Sequence, residues 1–267
     1  MKFILISLSI LALSCSNTKM VNNRSRATPV SLVADGKLFT SLYQQKSAEY
    51  RALCFQGYNI AALRIGNYKP TSNLPRAIIT DIDETILDNS PYAVHEGLQG
   101  KDYQTSTWYE WTARAEADTM PGAGAFLHFA AAMGIEIFYI TNREPKEQDG
   151  TLRNLQRFKL PFADSSHLLL RQFSSSKESR RQSVMANHEV ILLMGDNLAD
   201  FSSLFDKKTP AQRNASTDLI MPEFGKRFVV FPNPNYGDWE SSLFNYNYSL
   251  TPGQKDSIVR DALKTYQ

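Results

Sequence analysis

Five apolar runs of strand length recur along the chain with no polar alternation inside them. They are RAIIT (76–80), IEIFYIT (135–141), SHLLLR (166–171), EVILLMG (189–195) and RFVVFP (227–232). A strand with one wet face alternates apolar and polar residues, so these runs predict strands buried on both sides. Helical patterns separate them, at PGAGAFLHFAAAMG (121–134), KEQDGTLRNLQRF (146–158) and KESRRQSVMANH (177–188). Strand–helix alternation of this kind predicts an α/β domain: a parallel sheet with helices on both faces. Pro121 fits the first position of its helix and Gly134 its stop. Ligands of such sheets bind beyond the carboxyl ends of the strands. The residues just after each run are therefore the ones to read for chemistry.

What precedes the first run has a different character. The chain opens MKFILISLSILALSC. Lys2 and the apolar stretch from Phe3 to Leu13 match a signal peptide and are too short to span a bilayer. ALSC resembles a bacterial lipobox, with Ala12 replacing the usual Leu. Residues 1–14 are thus expected to be a lipoprotein signal and Cys15 the lipidated first residue, an ordinary secretory signal being the alternative. Either reading makes the protein exported. Lipid on Cys15 would anchor it to a membrane, and Ser16 offers no acidic inner-membrane retention signal, which favours an outer membrane or cell surface.

Residues 15–30 read as a flexible polar tether. The helical rhythm of Leu38, Leu42, Tyr43, Ala48, Tyr50, Leu53, Tyr58, Ala61 and Leu63 predicts one or two amphipathic helices. A helical region over 31–75 would then precede a core over 76–267, whose last helix has Thr251 as N-cap and Pro252 at its first position. Cys54 is expected to be a small buried hydrophobe, and no disulfide framework follows. A net charge of +2 gives no reason to expect a nucleic acid polymer as partner.

RAIIT runs into Asp81, and Asp83 follows two residues later. Two close carboxylates repel unless a proton or a cation separates them. Such a pair can serve as an acid/base couple or as oxygen ligands for a divalent metal, and a carboxylate can attack phosphorus. After the second run come Thr141, Asn142 and Arg143, a hydroxyl and an amide near a helix start, suited to an anion. After the fourth come Asp196, Asn197 and Asp200, preceded by Gly195, whose small size permits close approach of a ligand. Lys177 opens the helix after SHLLLR and can reach across as a fixed positive charge. Residues 84–120 break the alternation; this polar, aromatic-rich insertion is placed as a cap over the strand ends. Arg143 and Arg171 read as solvated or structural, and the Arg180–Arg181 pair as a solvated helix face. The four histidines share no metal-ligand spacing, and His128, in an apolar helix, is expected to face the core.

DxDET at 81–85, Thr141–Asn142, Lys177 and GDNxxDF at 195–201 resemble the four motifs of the haloacid dehalogenase-like phosphohydrolases. More narrowly, IITDIDETILDNSPY and ILLMGDNLADF are similar to the signatures of the bacterial class C nonspecific acid phosphatases, the lipoprotein e group. The resemblance runs over roughly residues 35–265. It implies a haloacid dehalogenase-like (Rossmannoid) sheet with a smaller, mostly helical cap and N-terminal region. It also implies Mg²⁺-dependent hydrolysis of phosphomonoesters: 5′-nucleotides, nicotinamide mononucleotide and aryl phosphates.

On that resemblance Asp81 would be the nucleophile, forming an aspartyl-phosphate. Asp83 would protonate the leaving alcohol and later activate water, which implies an acidic optimum. One Mg²⁺ would be held by Asp81, Asp196 and the backbone carbonyl of Asp83. Thr141, Asn142 and Lys177 would hold the phosphoryl oxygens, and Asp200 would position Lys177 or a water on the metal. Tyr92, Trp108 and Tyr236 would stack on a substrate base. A homodimer is a further family expectation. Two other readings use the same residues: a lipid-anchored protein that binds nucleotide or haem with little turnover, and a phosphotransferase. The first sits poorly with the intact Asp81 and Asp83; the second needs an alcohol held in place of water.

Overall fold

The computed structural model describes residues 31–266. The expected signal peptide over 1–14, Cys15 and the expected tether over 15–30 lie outside the described residues. Helices α1 (Leu32–Lys46) and α2 (Ala48–Gly66) lead into strand β1 (Arg76–Thr80). In the 84–120 segment, β2 (Leu87–Asp88) and β3 (Asp118–Thr119) pair antiparallel and close off helices α3 (Ser90–Gly97) and α4 (Thr105–Arg114). Then follow α5 (Ala123–Ala132), β4 (Glu136–Ile140), α6 (Gln148–Arg157), β5 (Leu168–Leu169), α7 (Glu178–Met185) and β6 (Glu189–Gly195). The chain ends with α8 (Pro210–Leu219), β7 (Phe228–Val230), α9 (Asp238–Leu243) and α10 (Pro252–Ala262).

The five predicted strands form one parallel sheet in the order β5-β4-β1-β6-β7. Both faces are covered, which explains the missing alternation. Ile78, Ile137, Tyr139, Leu192 and Met194 pack with Tyr50 and Tyr58 of α2 and Phe126 and Leu127 of α5. Ala77, Ile79, Phe138, Ile140 and Leu193 pack on the other side with Val184 of α7, Phe201 and Phe228. From β1 the chain moves to β4 and β5, then returns past β1 to β6 and β7. The neighbours β1 and β6 therefore send their outgoing chains in opposite directions, and a crevice opens between their carboxyl ends. The Asp81 N–H closes the base of that crevice by donating to the Met194 carbonyl at 2.9 Å.

The helical expectations need three corrections. Residues 36–66 are helical, but Leu42, Tyr43, Leu53 and Leu63 are largely exposed. The inward positions of α1 are instead Ala34, Ser41 and Gln44. Their polar groups are satisfied: the Ser41 hydroxyl donates to Asn235 Oδ1 at 3.1 Å, and the Gln44 amide donates to Asp88 at 2.7 Å. On α2 the inward set includes Tyr50, Tyr58, Ala61 and the expected Cys54. Second, α5 begins at Ala123 with Gly122 as its left-handed N-cap, so Pro121 lies in the turn before it. Third, His128 is exposed. Ala123, Phe126, Leu127 and Ala130 form the buried stripe of α5 at helical spacing, and position 128 falls off it. The Thr251–Pro252 cap of α10 is as expected. No described helix is long and apolar enough to cross a membrane.

Helix α6 crosses the cap helix α4 closely because residue 150 has no side chain. A Cβ on Gly150 would overlap the Thr112 carbonyl oxygen and lie 3.1 Å from the Ala113 Cα. Gly150→Ala is expected to destabilise the protein by about 1–3 kcal/mol, read as a lower Tm on thermal unfolding. Gly36→Ala, directed into open space within α1, should raise Tm instead.

Candidate active site

Asp81 stands at the mouth of the crevice, 7% exposed. Lys177, the N-cap residue of α7, is 4% exposed and donates to Asp81. The same ammonium lies 2.7 Å from Asp200 Oδ1. Asp200 ends a single 3₁₀ turn after β6, and its other oxygen accepts the Asn197 N–H at 2.9 Å. Gly195 makes this possible, because a Cβ there would overlap the Asp200 carboxylate. The space left by the glycine is thus taken by Asp200, not reserved for a ligand as the sequence suggested. Asp196 is held by the Asn233 amide at 2.8 Å and the Thr85 hydroxyl at 3.2 Å.

Asp81, Asp196 and Asp200 each offer an oxygen within 4.8 Å of the others. Burial pushes the Asp81 carboxyl up to about 7 against the pull of Lys177. Burial, followed by the charges of Asp200 and Asp81, holds Asp196 well above the usual carboxylate range. Three carboxylates and a single lysine leave an excess of negative charge in a desolvated place. An all-oxygen donor set of that kind fits a hard divalent cation, which would relieve the repulsion.

The Asp83 side chain stands outside this group. Its Oδ1 accepts from Arg143 Nη2 at 2.7 Å, Arg143 Nε at 3.1 Å and Asn89 Nδ2 at 2.8 Å. Arg143, read from sequence as solvated or structural, is 2% exposed and braced by the Thr151 hydroxyl at 3.1 Å. Thr141 is fully buried and its hydroxyl accepts the Arg143 N–H at 3.1 Å, while Asn142 is exposed and lines the cavity over the site. The Arg180–Arg181 pair is a clear correction to the expected solvated face. Arg181 is 1% exposed and donates to the carbonyls of Ala199 and Asp200 at 2.7 and 2.9 Å. Arg180 donates to the Thr141 carbonyl and, at 2.8 Å, to Asn142. Planar guanidinium donors suit carbonyls at loop ends, and the spacing 177, 180, 181 on one helix face was the available signal.

A cavity of about 380 Å³ opens above the carboxylates and includes Tyr92, Trp108 and Tyr236 in its walls. Tyr92 is buried and meets Trp108 edge-on, with centroids 5.1 Å apart. Tyr103, missed in the sequence, joins both rings at 6.2 and 6.0 Å. Trp108 Nε1 donates to Glu147 at 2.9 Å, and the Tyr236 hydroxyl donates to the buried Glu84. Arg171 instead pairs with Glu144 at the surface.

The model of the HAD superfamily, subfamily IIIB (acid phosphatase), matches residues 2–239. The chain belongs to this family. It is similar to the class C acid phosphatase of Bacillus anthracis, at 38% identity and a TM-score of 0.85, over 88% of this chain and 99% of that one. The tungstate-bound form of that enzyme gives the same identity and TM-score over 89% and 100%. This acid phosphatase is therefore a phosphomonoesterase, on the parallel α/β fold that the apolar runs predicted.

The raised Asp81 carboxyl has a signed consequence for the metal-free phosphatase. The group ionises near 3.8 when unfolded and near 7 when folded. Between those values the folded state holds a proton the unfolded state has lost, so this contribution to stability fades as pH rises. Asp81→Asn removes that titration. In EDTA its stability gain over wild type should be small at pH 4 and reach roughly 1–3 kcal/mol at pH 7, measured by thermal unfolding. A difference independent of pH would show that burial does not govern the site.

Proposed function

We propose that this acid phosphatase is a lipid-anchored, Mg²⁺-dependent enzyme that removes phosphate from nucleoside monophosphates and similar small esters by way of Asp81. The observation that carries the reading is the meeting of Asp81, Asp196 and Asp200 around Lys177 at the crevice between β1 and β6. Asp81, Asp196 and the Asp83 carbonyl would hold the cation, which supplies charge neutralisation for the phosphoryl oxygens. Asp81 attacks phosphorus; the bond to the ester oxygen breaks, and Asp83 gives that oxygen its proton. The aspartyl-phosphate is then hydrolysed by a water that returns its proton to Asp83, releasing phosphate. Lys177, Thr141 and Asn142 hold the phosphoryl group in line, with Lys177 kept in place by Asp200. The tungstate in the Bacillus anthracis enzyme is a tetrahedral oxyanion, which supports an oxyanion pocket in this family.

Rings in the cavity wall favour a leaving group with an aromatic face. Tyr92 and Trp108 approach from the cap and Tyr236 from the loop before α9. Lipid on Cys15 and the tether over 15–30 would hold the phosphatase at a membrane surface, a reading supported by the ALSC sequence.

The direct test is phosphate release by residues 16–267 at pH 5 to 7, from p-nitrophenyl phosphate and nicotinamide mononucleotide. Asp81→Asn should lower turnover by at least about 10³-fold, and EDTA should abolish it until Mg²⁺ is restored. Full turnover in EDTA, or in the variant, would overturn the mechanism. Trp108→Ala should raise KM for nicotinamide mononucleotide by about 5–100-fold, with a much smaller effect on glycerol 3-phosphate, whose leaving group has no ring.

A further inference from the structure

Asn89 lies just before α3 and is 2% exposed. Both ends of its side-chain amide are engaged. Its Nδ2 donates to Asp83 Oδ1 at 2.8 Å, and its Oδ1 accepts from the Trp111 indole N–H at 2.8 Å. Its backbone N–H donates to Glu84 Oε1, also at 2.8 Å. The indole nitrogen can only donate, so it must face the amide oxygen. That requirement sets the amide orientation and turns the NH₂ toward Asp83. Trp111 belongs to the cap helix α4, and its ring packs partly against the main core.

The donors on Asp83 are unequally shared. Oδ1 takes Asn89 and the two closest Arg143 contacts, whereas Oδ2 takes a single Arg143 Nε contact at 3.2 Å. Oδ2 is thus the oxygen left to carry a proton toward the cavity that Asp83 lines. We propose that Asn89, oriented by Trp111 of the cap, is the positioning residue for the general acid, holding Asp83 Oδ1 so that Oδ2 delivers its proton to the leaving oxygen. The step balances: the Asp81–phosphorus bond forms, the phosphorus–ester oxygen bond breaks, and that oxygen takes the proton from Oδ2. The proposal rests on the reading of Asp83 as the acid, and it makes the seating of the cap a condition for proton delivery. Trp108 and Tyr109 dock α4 in parallel, on Glu147 at 2.9 Å and Glu144 at 2.8 Å.

The test compares kcat/KM for two esters. This constant covers steps up to departure of the leaving group and excludes hydrolysis of the aspartyl-phosphate. p-Nitrophenolate leaves with little need of a proton; the alkoxide of glycerol 3-phosphate needs one. Asp83→Ala should therefore lose about 10²-fold more on glycerol 3-phosphate than on p-nitrophenyl phosphate, and Asn89→Ala about tenfold more. Trp111→Phe keeps an aromatic ring and removes the N–H; it should show the same selective loss at about threefold or more, and it decides alone if Asn89→Ala does not fold. Equal losses on both esters in the Asn89 and Trp111 variants, with Asp83→Ala selective, would overturn the proposal and leave Asp83 as the acid. An unselective Asp83→Ala would overturn both.

Discussion

The buried lysine between two aspartates is the contact on which the site depends. Asp81 arrives from β1, Asp200 from the turn after β6, and Lys177 from the start of α7. None of the three could sit where it does alone. A buried carboxylate without a partner is strongly disfavoured, and removing the lysine, which would leave both acids uncompensated, would cost about 3–5 kcal/mol. The charges are therefore bound to the sheet order: only with β6 returning to the far side of β1 do the two acids come within reach of one ammonium. Arg181 adds to this by fixing the carbonyls of the Asp200 turn from beneath.

The loop carrying the first motif is held as firmly from the other side. Tyr58 of α2 donates to the Thr85 carbonyl, and Glu84 takes a left-handed backbone at φ 57°. A non-glycine residue there is uncommon and persists only where its surroundings demand it. Here the carboxyl of Glu84 receives the Tyr236 hydroxyl and the Asn89 N–H. The turn that presents Asp83 is thus tied to a cavity ring and to the entry of the cap. The helices ahead of β1 contribute to the site through this bracing, though their own residues do no chemistry.

Much of this was legible in the sequence because doubly buried strands leave an unbroken apolar signature, and their ends mark the site. Asp81, Asp196 and Lys177 fall where that signature places them. The burial and the partners of Arg143 and Arg181 were not legible. An arginine reads as solvated by default, and only acceptors distant in sequence, such as Asp83 for Arg143 and the Ala199 carbonyl for Arg181, bring it inside. The inner face of α1 was hidden for the same reason, since Ser41 and Gln44 are inward-facing polar residues satisfied by Asn235 and Asp88. His128 was misplaced although its spacing was readable, because the overall apolarity of α5 outweighed the stripe of Phe126, Leu127 and Ala130.

The ribbon of β2 and β3 sets Leu87 opposite Thr119 and Asp88 opposite Asp118. The cap therefore leaves the sheet and rejoins it at one place. To the five strands, everything between those residues amounts to a single long hairpin. A lineage can lengthen, shorten or exchange that hairpin without moving Asp81, Asp196 or Lys177. Substrate range can then drift over a fixed floor of Asp81, Asp196 and Lys177, and a cap grafted at this ribbon from a relative would inherit that floor but would have to bring its own brace for Asp83 in place of Asn89 and Trp111.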